Sequence, residues 1–488
     1  MQLTERIARG VKATFAANVL DVIANALLVI VLARYLLTPE EYGLLYFALS
    51  VFGIVSIVAT LGLPSSAARY ITEYNETDPP QVRHVIRTAL WYLLALSLLV
   101  GVAVSVGSEW LAARLDEPPL APLLALAVAY ILARTLNTYL TSVFQGLNRV
   151  TWSAVTNAVQ AVGRVVFAVG FVLLGFGVVG ALAGYIVGVF ASAVVGGVIL
   201  YWRYYRQYAS EPREDGLVRR LLEYSVPLTA TRSANVLDKQ VDTILVGVLL
   251  SATAVGYYTV AKQVAQVCTS PAGSLGFTIS PAYGEQKAAD RADRAARLYE
   301  RALEYVLLLY VPAVVGLVLV AEPMIQLVFG VEYLGAVPVL QVLSLFVLAN
   351  AITKITSNGL DFLGRARDRA IVKTTMAVAN FVLNLLLIPL LGVVGAAVAT
   401  LITYSCYTFA NVYIIGRELP IRFSTVTRTL VGVTAISLLM GVSVYTLVPY
   451  ITSLVSLLGV VFVGVAIWGI GVAGTGLLDV KRAVSLLT

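Results

Sequence analysis

Long apolar runs recur along the whole chain, separated by short polar gaps. A helix that crosses a bilayer needs about 20 mostly apolar residues. Fourteen runs meet this requirement, which predicts an all-α integral membrane protein with about 14 transmembrane helices. Their approximate centres are Ala24, Phe52, Ala95, Ala133, Gly163, Phe190, Ala234, Val264, Leu309, Leu348, Phe381, Tyr404, Leu438 and Val463.

The polar gaps alternate in charge along the chain. Every second gap, together with both ends of the chain, carries most of the 34 basic residues, and the gaps between are short or acidic. By the positive-inside rule, the basic gaps and both termini are predicted to be cytoplasmic. Two of these cytoplasmic connections are long, residues 203–220 and 284–301. The second one is predicted to form a charged helix on the membrane surface.

The chain also repeats itself. Ala17-Asn-Val-Leu-Asp21 recurs as Ala234-Asn-Val-Leu-Asp238, and Gly177-Val-Val-Gly-Ala181 recurs as Gly392-Val-Val-Gly-Ala396. Between these matches Arg149 corresponds to Arg365, so spans one to six correspond to spans seven to twelve. Six is an even number, and the two copies therefore enter the membrane in the same direction, as in transporters with parallel repeats.

This repeat predicts three parts of the chain. They are an N-terminal six-helix lobe (residues 1–210), a C-terminal six-helix lobe (211–420) and an additional two-helix pair (421–488).

Composition narrows the function. Hydrophobic residues make up 59% of the 488 residues and charged residues 12%, which fits no large soluble domain. The net charge of +7 does not indicate nucleic acid, because the basic residues lie between the apolar runs and not on one soluble face. Two isolated cysteines and one histidine predict neither a disulfide nor a metal site. No Walker loop or other catalytic motif occurs, so we expect no enzyme and no cofactor.

One apolar run is interrupted by charge. Between residues 232 and 242, five polar side chains fall within about a third of the helical wheel. They are Arg232, Asn235, Asp238, Lys239 and Asp242. A charge in hydrocarbon costs several kcal/mol, so this stripe must face a bundle interior or a hydrated cavity. One interpretation is a salt-bridge network that only holds helices together, and the other is the wall of a transport pathway.

Basic residues outnumber acids at membrane depth. The cations predicted to bind substrate in a cavity are Arg134, Arg164, Arg232, Lys239, Lys262 and Lys354. The acids predicted to balance them, and the candidate sites for a coupling proton or sodium ion, are Asp21, Asp238 and Asp242. The predicted polar lining is Asn18, Asn25, Asn235 and Asn137. Excess positive charge suits phosphate or pyrophosphate, because arginine and lysine donate strong hydrogen bonds to anionic oxygens.

Several segments resemble a known family. The resemblance lies in Ala33-Arg-Tyr-Leu-Leu-Thr-Pro-Glu-Glu-Tyr-Gly43, Ala59-Thr-Leu-Gly-Leu-Pro64, Arg69-Tyr-Ile-Thr-Glu73, Phe329-Gly-Val-Glu-Tyr333 and Ile388-Pro-Leu-Leu-Gly-Val-Val-Gly-Ala-Ala397. These residues are similar to those of the polysaccharide flippases of the multidrug/oligosaccharidyl-lipid/polysaccharide exporter superfamily. The resemblance implies a MATE-like fold with two lobes around a central cavity.

It also implies a function. Such proteins move isoprenoid-(pyro)phosphate-linked oligosaccharides from the cytoplasmic to the outer leaflet of the cell membrane by alternating access, for surface polysaccharide or glycan assembly. The implied partners are the lipid-linked oligosaccharide, membrane lipids and glycan-assembly enzymes. Two alternatives stay open at this point: a cation-coupled multidrug or metabolite antiporter of the same superfamily, and a scaffold of an envelope-assembly complex.

Overall fold

The computed structural model describes residues 3–209 and 211–475. Side chains are described throughout these ranges except in residues 3–13, 230–232, 234 and 235. Two predicted site residues, Arg232 and Asn235, therefore have side chains outside the described part. The described residues are almost entirely helical and contain no strand, which confirms the predicted all-α class.

The described residues form seventeen α-helices. Contacts divide the chain into two compact units, with the boundary between Gly256 and Tyr257. The helices of the first unit are α1 (Leu3–Val31), α2 (Pro39–Thr60), α3 (Leu63–Thr77), α4 (Pro79–Val106), α5 (Ser108–Arg114), α6 (Ala121–Leu124), α7 (Ala127–Gly146), α8 (Val150–Phe171), α9 (Gly177–Arg203) and α10 (Leu217–Leu249). Next comes α11 (Ala252–Ala288), which begins at the end of the first unit and continues into the second. The other helices of the second unit are α12 (Ala292–Val328), α13 (Val337–Phe362), α14 (Ala366–Leu391), α15 (Val393–Glu418), α16 (Phe423–Leu447) and α17 (Leu454–Thr475).

The fourteen predicted span centres each lie in a different helix, namely α1, α2, α4 and α7 to α17. By length and composition, ten stretches of the described residues are suited to cross a membrane, or eleven when the bent pair Pro118–Leu124 and Ala127–Gly146 counts as one. One of the ten, Val150–Gln207, contains both α8 and α9, and the more polar α10 and α11 are not among them. Both are long enough to cross, with 33 and 37 residues. The multi-pass architecture is therefore confirmed.

The family-like segment at the start of α2 consists of residues that build the helix end. The hydroxyl of Thr38 accepts a hydrogen bond from the Glu41 N–H (3.2 Å), and the Glu41 carboxylate accepts one from the Thr38 N–H (3.0 Å), which together form a capping box. Pro39 occupies the first turn, where its missing N–H costs nothing. Gly43 lets α11 approach, because a Cβ atom there would lie 1.7 Å from the carbonyl oxygen of Ala252. This motif specifies helix geometry and carries no information about substrate.

The sequence repeat is also a repeat of backbone geometry. The turn between α7 and α8 has hydrogen bonds from Leu147 N to Val143 O and from Arg149 N to Phe144 O. The turn between α13 and α14 repeats both bonds 216 residues later, from Leu363 N to Gly359 O and from Arg365 N to Leu360 O. This turn therefore has the same backbone hydrogen bonds at corresponding positions of the two units.

A second pair of turns repeats in the same way. Gly177 precedes the body of α9 with φ 52° and ψ −142°, and Gly392 precedes α15 with φ 61° and ψ −145°. These angles lie near a region of backbone space that only glycine adopts without strain. The Gly-Val-Val-Gly-Ala repeat therefore begins with a glycine because the chain turns there in both units.

The predicted part boundaries at residues 210 and 420 follow the sequence repeat and stay predictions. In the structure, α10 packs against α2 and α3 of the first unit, so contacts group this helix with the preceding six spans.

The prediction of a separate surface helix over residues 284–301 was wrong. The end of α11 and the start of α12 share this segment, with a tight turn between them at Asp290, which has φ 57°. Ala295, Ala296 and Tyr299 are buried on one side of the first turns of α12. Since these apolar contacts hold the segment against its own unit, its arginines occupy the outer side of a helix that continues into the ninth span.

Side chains of α4 bind the connection over residues 203–220 through hydrogen bonds. The side-chain amide of Gln81 donates to the carbonyl of Pro212 (2.9 Å), and its oxygen accepts from the N–H of Glu214 (3.0 Å). The single histidine, His84, lies 2.6 Å from the carbonyl oxygen of Glu211. Its role in the structure is to hold this connection.

Glu214, an acid of this connection, is bound by two donors. Tyr74 donates a hydrogen bond to Glu214 (2.5 Å), and Arg220 forms a salt bridge with the same carboxylate (2.6 Å). These two donors stabilise the charged form, so they hold the pKa of Glu214 below its usual range.

The repeated glycine turn leads to a first prediction. Gly392→Ala is expected to destabilise the protein by about 1–3 kcal/mol, because alanine is strained at these angles. The matched control is Gly316→Ala within α12, where the added methyl group also meets open space but the backbone has no positive φ. There alanine is expected to be neutral or to stabilise by up to about 1 kcal/mol. Thermal unfolding in detergent measures both, and equal effects would contradict the account.

The Glu214 contacts predict a pH dependence. A carboxyl with a lowered folded-state pKa adds stability above its unfolded pKa of about 4.3 and loses it as the pH falls through the folded value. The backbone amides of residues 209–216 are therefore expected to lose protection from hydrogen exchange as the pH falls below about 4.3. The comparison uses exchange rates corrected for the intrinsic pH dependence of amide exchange. In Tyr74→Phe the folded-state pKa of Glu214 is expected to lie closer to the unfolded one, so the loosening is expected to be smaller and to be complete at a higher pH. An identical profile in both proteins would be evidence against the contact.

Candidate functional site

A buried polar contact joins α7, α8 and α9. The amide of Asn137 donates to the side-chain oxygen of Gln160 (2.5 Å), and its own oxygen accepts from the hydroxyl of Ser192 (2.7 Å). All three side chains are at most 9% exposed. A fully bonded amide of this kind holds helices together inside a membrane.

The second unit has the same contact 216 residues later. The hydroxyls of Thr353 on α13 and Thr408 on α15 lie 2.6 Å apart and are buried. These threonines stand at the positions of Asn137 and Ser192 in the repeat. The prediction that Asn137 lines a cavity does not fit this arrangement, because its amide is buried and hydrogen-bonded to neighbouring helices. The second unit has a buried contact between helices at the corresponding position.

A neighbouring face of α7 and of α13 is open and carries a cation in each unit. Arg134 is exposed, and its side chain makes no hydrogen bond or salt bridge with the described residues. Lys354 is also exposed and stands at the repeat position of Thr138, one turn further along the helix than Arg134. A cation on a membrane-spanning helix is stable only toward water or a polar interior, so this face is suited to an aqueous pathway.

An ion pair joins α8 to α1. One guanidinium nitrogen of Arg164 lies 2.7 Å from a carboxylate oxygen of Asp21. The side chain of Arg164 is 15% exposed, whereas that of Asp21 is 51% exposed. The Nε of Arg164 is buried and has no hydrogen-bond partner among the described residues. The pair neutralises one buried cation. It leaves the Nε donor of Arg164 unused and half of the Asp21 side chain exposed.

Close packing and aromatic rings fix the position of Arg164. At Gly188 of α9 a Cβ atom would lie 2.5 Å from the backbone nitrogen of Arg164, so only glycine allows the two helices to approach this closely. The guanidinium carbon lies 5.8 Å from the ring centre of Tyr185, whose hydroxyl is 3.5 Å from that of Tyr46. Sequence reasoning missed these two tyrosines. The available signal was a phenol in an otherwise apolar span, because a buried phenol needs a polar partner.

The stripe on α10 divides by burial. Asp242 is buried at 4% exposure, Asp238 is half-buried and Lys239 is exposed. All three have hydrogen-bond, ionic or electrostatic partners. Gln240, between them, packs on Gly53 of α2. Among the described side chains of this stripe, Lys239 is the accessible cation and Asp242 an internal acid.

The remaining predicted residues lie on α11 and α1. The ammonium group of Lys262 is 5.3 Å from the ring centre of Tyr258, one turn earlier on α11. On α1, Asn18 is exposed and Asn25 is half-buried, and both lie on the face of Asp21. The polar face predicted for the first span is therefore accessible in this structure.

The described site residues contain more cations than acids. The cations are Arg134, Arg164, Lys239, Lys262 and Lys354, and the acids are Asp21, Asp238 and Asp242. A guanidinium or ammonium group can bind anionic oxygens, phosphate above all, when a carboxylate does not accept all of its hydrogen bonds. Three of these cations, Arg134, Arg164 and Lys239, lie in the first unit, and two, Lys262 and Lys354, lie in the second.

The Arg164–Asp21 contact leads to a third prediction. In a double-mutant cycle with Arg164→Gln and Asp21→Asn, we expect a coupling free energy of about 1 kcal/mol, reduced from that of a fully buried pair because half of Asp21 faces solvent. The exposed pair Arg219–Glu223, with the same 2.7 Å separation, is the matched control. Its coupling is expected to be smaller, because both of its side chains are mostly exposed to solvent. Unfolding measurements on the four variants of each cycle test this, and equal couplings would refute it.

Comparisons with known proteins agree with this architecture. The model of the family described as polysaccharide biosynthesis protein matches residues 7–285, and the MatE model matches residues 227–386. The chain is 23% identical to the uncharacterized membrane protein MJ1068 of Methanocaldococcus jannaschii over 91% of both chains. It is 24% identical to the probable low-salt glycan biosynthesis flippase Agl15 of Haloferax volcanii, covering 86% of this chain and 85% of the relative. The fold is similar to that of the lipid II flippase MurJ in an inward closed conformation, with a TM-score of 0.75, 16% identity, and coverage of 95% and 98%.

Proposed function

The chain belongs to the polysaccharide biosynthesis protein family, and from this premise we propose that it is a membrane flippase. Its substrate would be an isoprenoid-(pyro)phosphate-linked oligosaccharide, moved from the cytoplasmic to the outer leaflet by alternating access. A relative aligned over most of both chains is named a glycan biosynthesis flippase. The lipid II flippase shares the fold over nearly the full length of the chain. The protein is a transporter and not an enzyme.

The observation that carries the proposal is the open cation on α7. Arg134 has no acidic partner among the described residues, and its counterpart face on α13 carries Lys354. A phosphate or pyrophosphate group would supply the missing negative charge and accept several hydrogen bonds from a guanidinium. Lys239 and the sequence-derived Arg232 would add positive potential in the first unit, and Lys262 would add it in the second.

Arg164 has a different part in this proposal. In the structure Asp21 occupies one edge of its guanidinium, and the exposed side of Asp21 is accessible to a small cation. Protonation of Asp21, or binding of a sodium ion to it, would weaken its hold on Arg164 and release a cation for the substrate phosphate. Such an exchange would couple a proton or sodium ion to binding.

The orientation and partners belong to the same proposal. The basic gaps support cytoplasmic termini by the positive-inside rule, and the protein would lie in the plasma membrane. Glycan-assembly enzymes on the cytoplasmic side would deliver the lipid-linked oligosaccharide.

A cation antiporter is the second candidate. It is supported by the MatE match over residues 227–386 and by the exposed carboxylate of Asp21. An antiporter for organic cations needs acids that dominate its pathway, but Asp21 is bound to Arg164 and Asp242 is buried. The geometry therefore favours an anionic substrate.

Transport measurements provide a fourth prediction. In a host without its own flippase, surface glycan from Arg134→Gln and Lys354→Gln is expected to fall at least about tenfold, because a hydrogen bond to a charged group contributes about 1.5–3 kcal/mol. Lys239→Ala is expected to act in the same direction. Arg134→Lys keeps the charge and is expected to retain part of the activity. The control is Arg428→Gln, which removes a basic residue near the start of α16. Near-normal export from well-expressed Arg134→Gln and Lys354→Gln proteins would overturn the assignment.

A further inference from the structure

A row of aromatic rings lies between two arginines at the end of α9, and we refer to it as the ring ladder. The guanidinium carbon of Arg206 is 4.6 Å from the ring centre of Trp202, which meets Tyr201 edge-on at 5.8 Å. Tyr201 stacks on Tyr205 at 6.0 Å, and the guanidinium carbon of Arg83 is 5.1 Å from the ring centre of Tyr205. Five side chains from α4, α9 and the turn after α9 thus form one continuous stack.

Two of the three rings of this ladder are poorly covered by protein, whereas Tyr205 is half-buried and packs against the core of the first unit. Trp202 is 63% exposed and Tyr201 is 50% exposed. Rings that contributed to the interior of the first unit would be buried, as Tyr139 is at 1% exposure. The exposed area of the ladder is therefore available to something outside the chain.

The two arginines have no acidic partner within the described residues. None of the salt bridges there involves Arg83 or Arg206. Of the acids in the connection, Glu214 binds Arg220 and Tyr74. A guanidinium that contacts a ring through its flat face keeps its N–H groups free at its edge, and these groups fit phosphate oxygens.

The position of the ladder selects the kind of anion. With 27 residues, α9 is about 40 Å long, which exceeds the roughly 30 Å of hydrocarbon in a bilayer. The ladder occupies its last turn and the following Tyr205–Gln207 turn, at the border between an apolar helix and a polar connection. Tryptophan and tyrosine at such borders lie at the level of lipid headgroups.

We propose that the ring ladder is a binding site for an anionic phospholipid of the surrounding leaflet. The rings would contact the glycerol and the first methylene groups, and Arg83 and Arg206, at the two ends of the ladder, would hold the anionic headgroup by their positive charge. A phospholipid with net negative charge is favoured over a zwitterionic one, because the choline group of the latter would approach the same two cations.

The second unit lacks this arrangement at the corresponding helix end. There Arg417 is 5.9 Å from the ring centre of Tyr413, and Glu418 forms salt bridges with Lys287 and Arg365. Its cations are thus largely neutralised within the chain. Within the described residues, the ring ladder is therefore a feature of the first unit.

Lipid binding to the full chain tests the proposal. Native mass spectrometry of the purified protein would count bound phosphatidylglycerol and phosphatidylcholine over a titration of each. The wild-type protein is expected to prefer phosphatidylglycerol. The double variant Arg83→Gln/Arg206→Gln is expected to lose about 25-fold in affinity for it, roughly fivefold for each arginine removed, with little change for phosphatidylcholine.

Two further variants separate the contribution of the two arginines from that of other charges and of the rings. Arg114→Gln removes an equivalent arginine, 5.6 Å from the ring of Trp110 at the other end of the span region, and is expected to keep the preference. Trp202→Ala leaves both charges and is expected to weaken binding of both lipids. An unchanged preference in the double variant would overturn the proposal, as would an equal loss in Arg114→Gln. Full competition by millimolar inorganic phosphate would also overturn it, since that result indicates a site for soluble anions. Circular dichroism and a monodisperse elution profile confirm that each variant is folded.

Discussion

Hydrocarbon offers no hydrogen-bond partner, so a polar group at membrane depth must bond inside the protein or face a hydrated path. The polar side chains of this chain divide according to that constraint. Asn137 and Ser192, and their counterparts Thr353 and Thr408, satisfy one another in buried contacts. Among the described residues Arg134 has no such partner, and it is exposed. The division separates side chains that hold helices together from side chains that are available to a substrate.

Much of the architecture was predictable from the sequence. Apolar length is set by the bilayer, and each of the fourteen predicted centres lies in its own helix. The repeat was predictable because matched turns need matched residues, such as Gly177 and Gly392. The surface helix over 284–301 was mispredicted because its charges were visible in the sequence, whereas the buried side formed by Ala295 and Tyr299 depends on tertiary packing.

The site was predictable only in part, for a related reason. Residue type and span depth identified Arg134, Arg164 and Asp21, but the contact between the last two joins helices 143 residues apart in the chain. Helical periodicity placed Asn137 on the polar face of α7, and it does lie beside Arg134. Burial decided its role, and burial depends on the neighbouring helices α8 and α9. The family-like segment at Thr38 proved to be a helix cap, which explains why such motifs identify the fold better than the substrate.

The two units share a scaffold and differ in charge. Their turns and buried rungs correspond, yet Arg149 contacts the ring of Tyr204 whereas Arg365 binds Glu418. Each repeat comprises six helices, and an even number predicts that both copies enter the membrane in the same direction. Joining two copies of a half-length chain end to end would then need no inversion of either. In a single chain each half can acquire substitutions that a symmetric dimer of identical halves would have to accept twice.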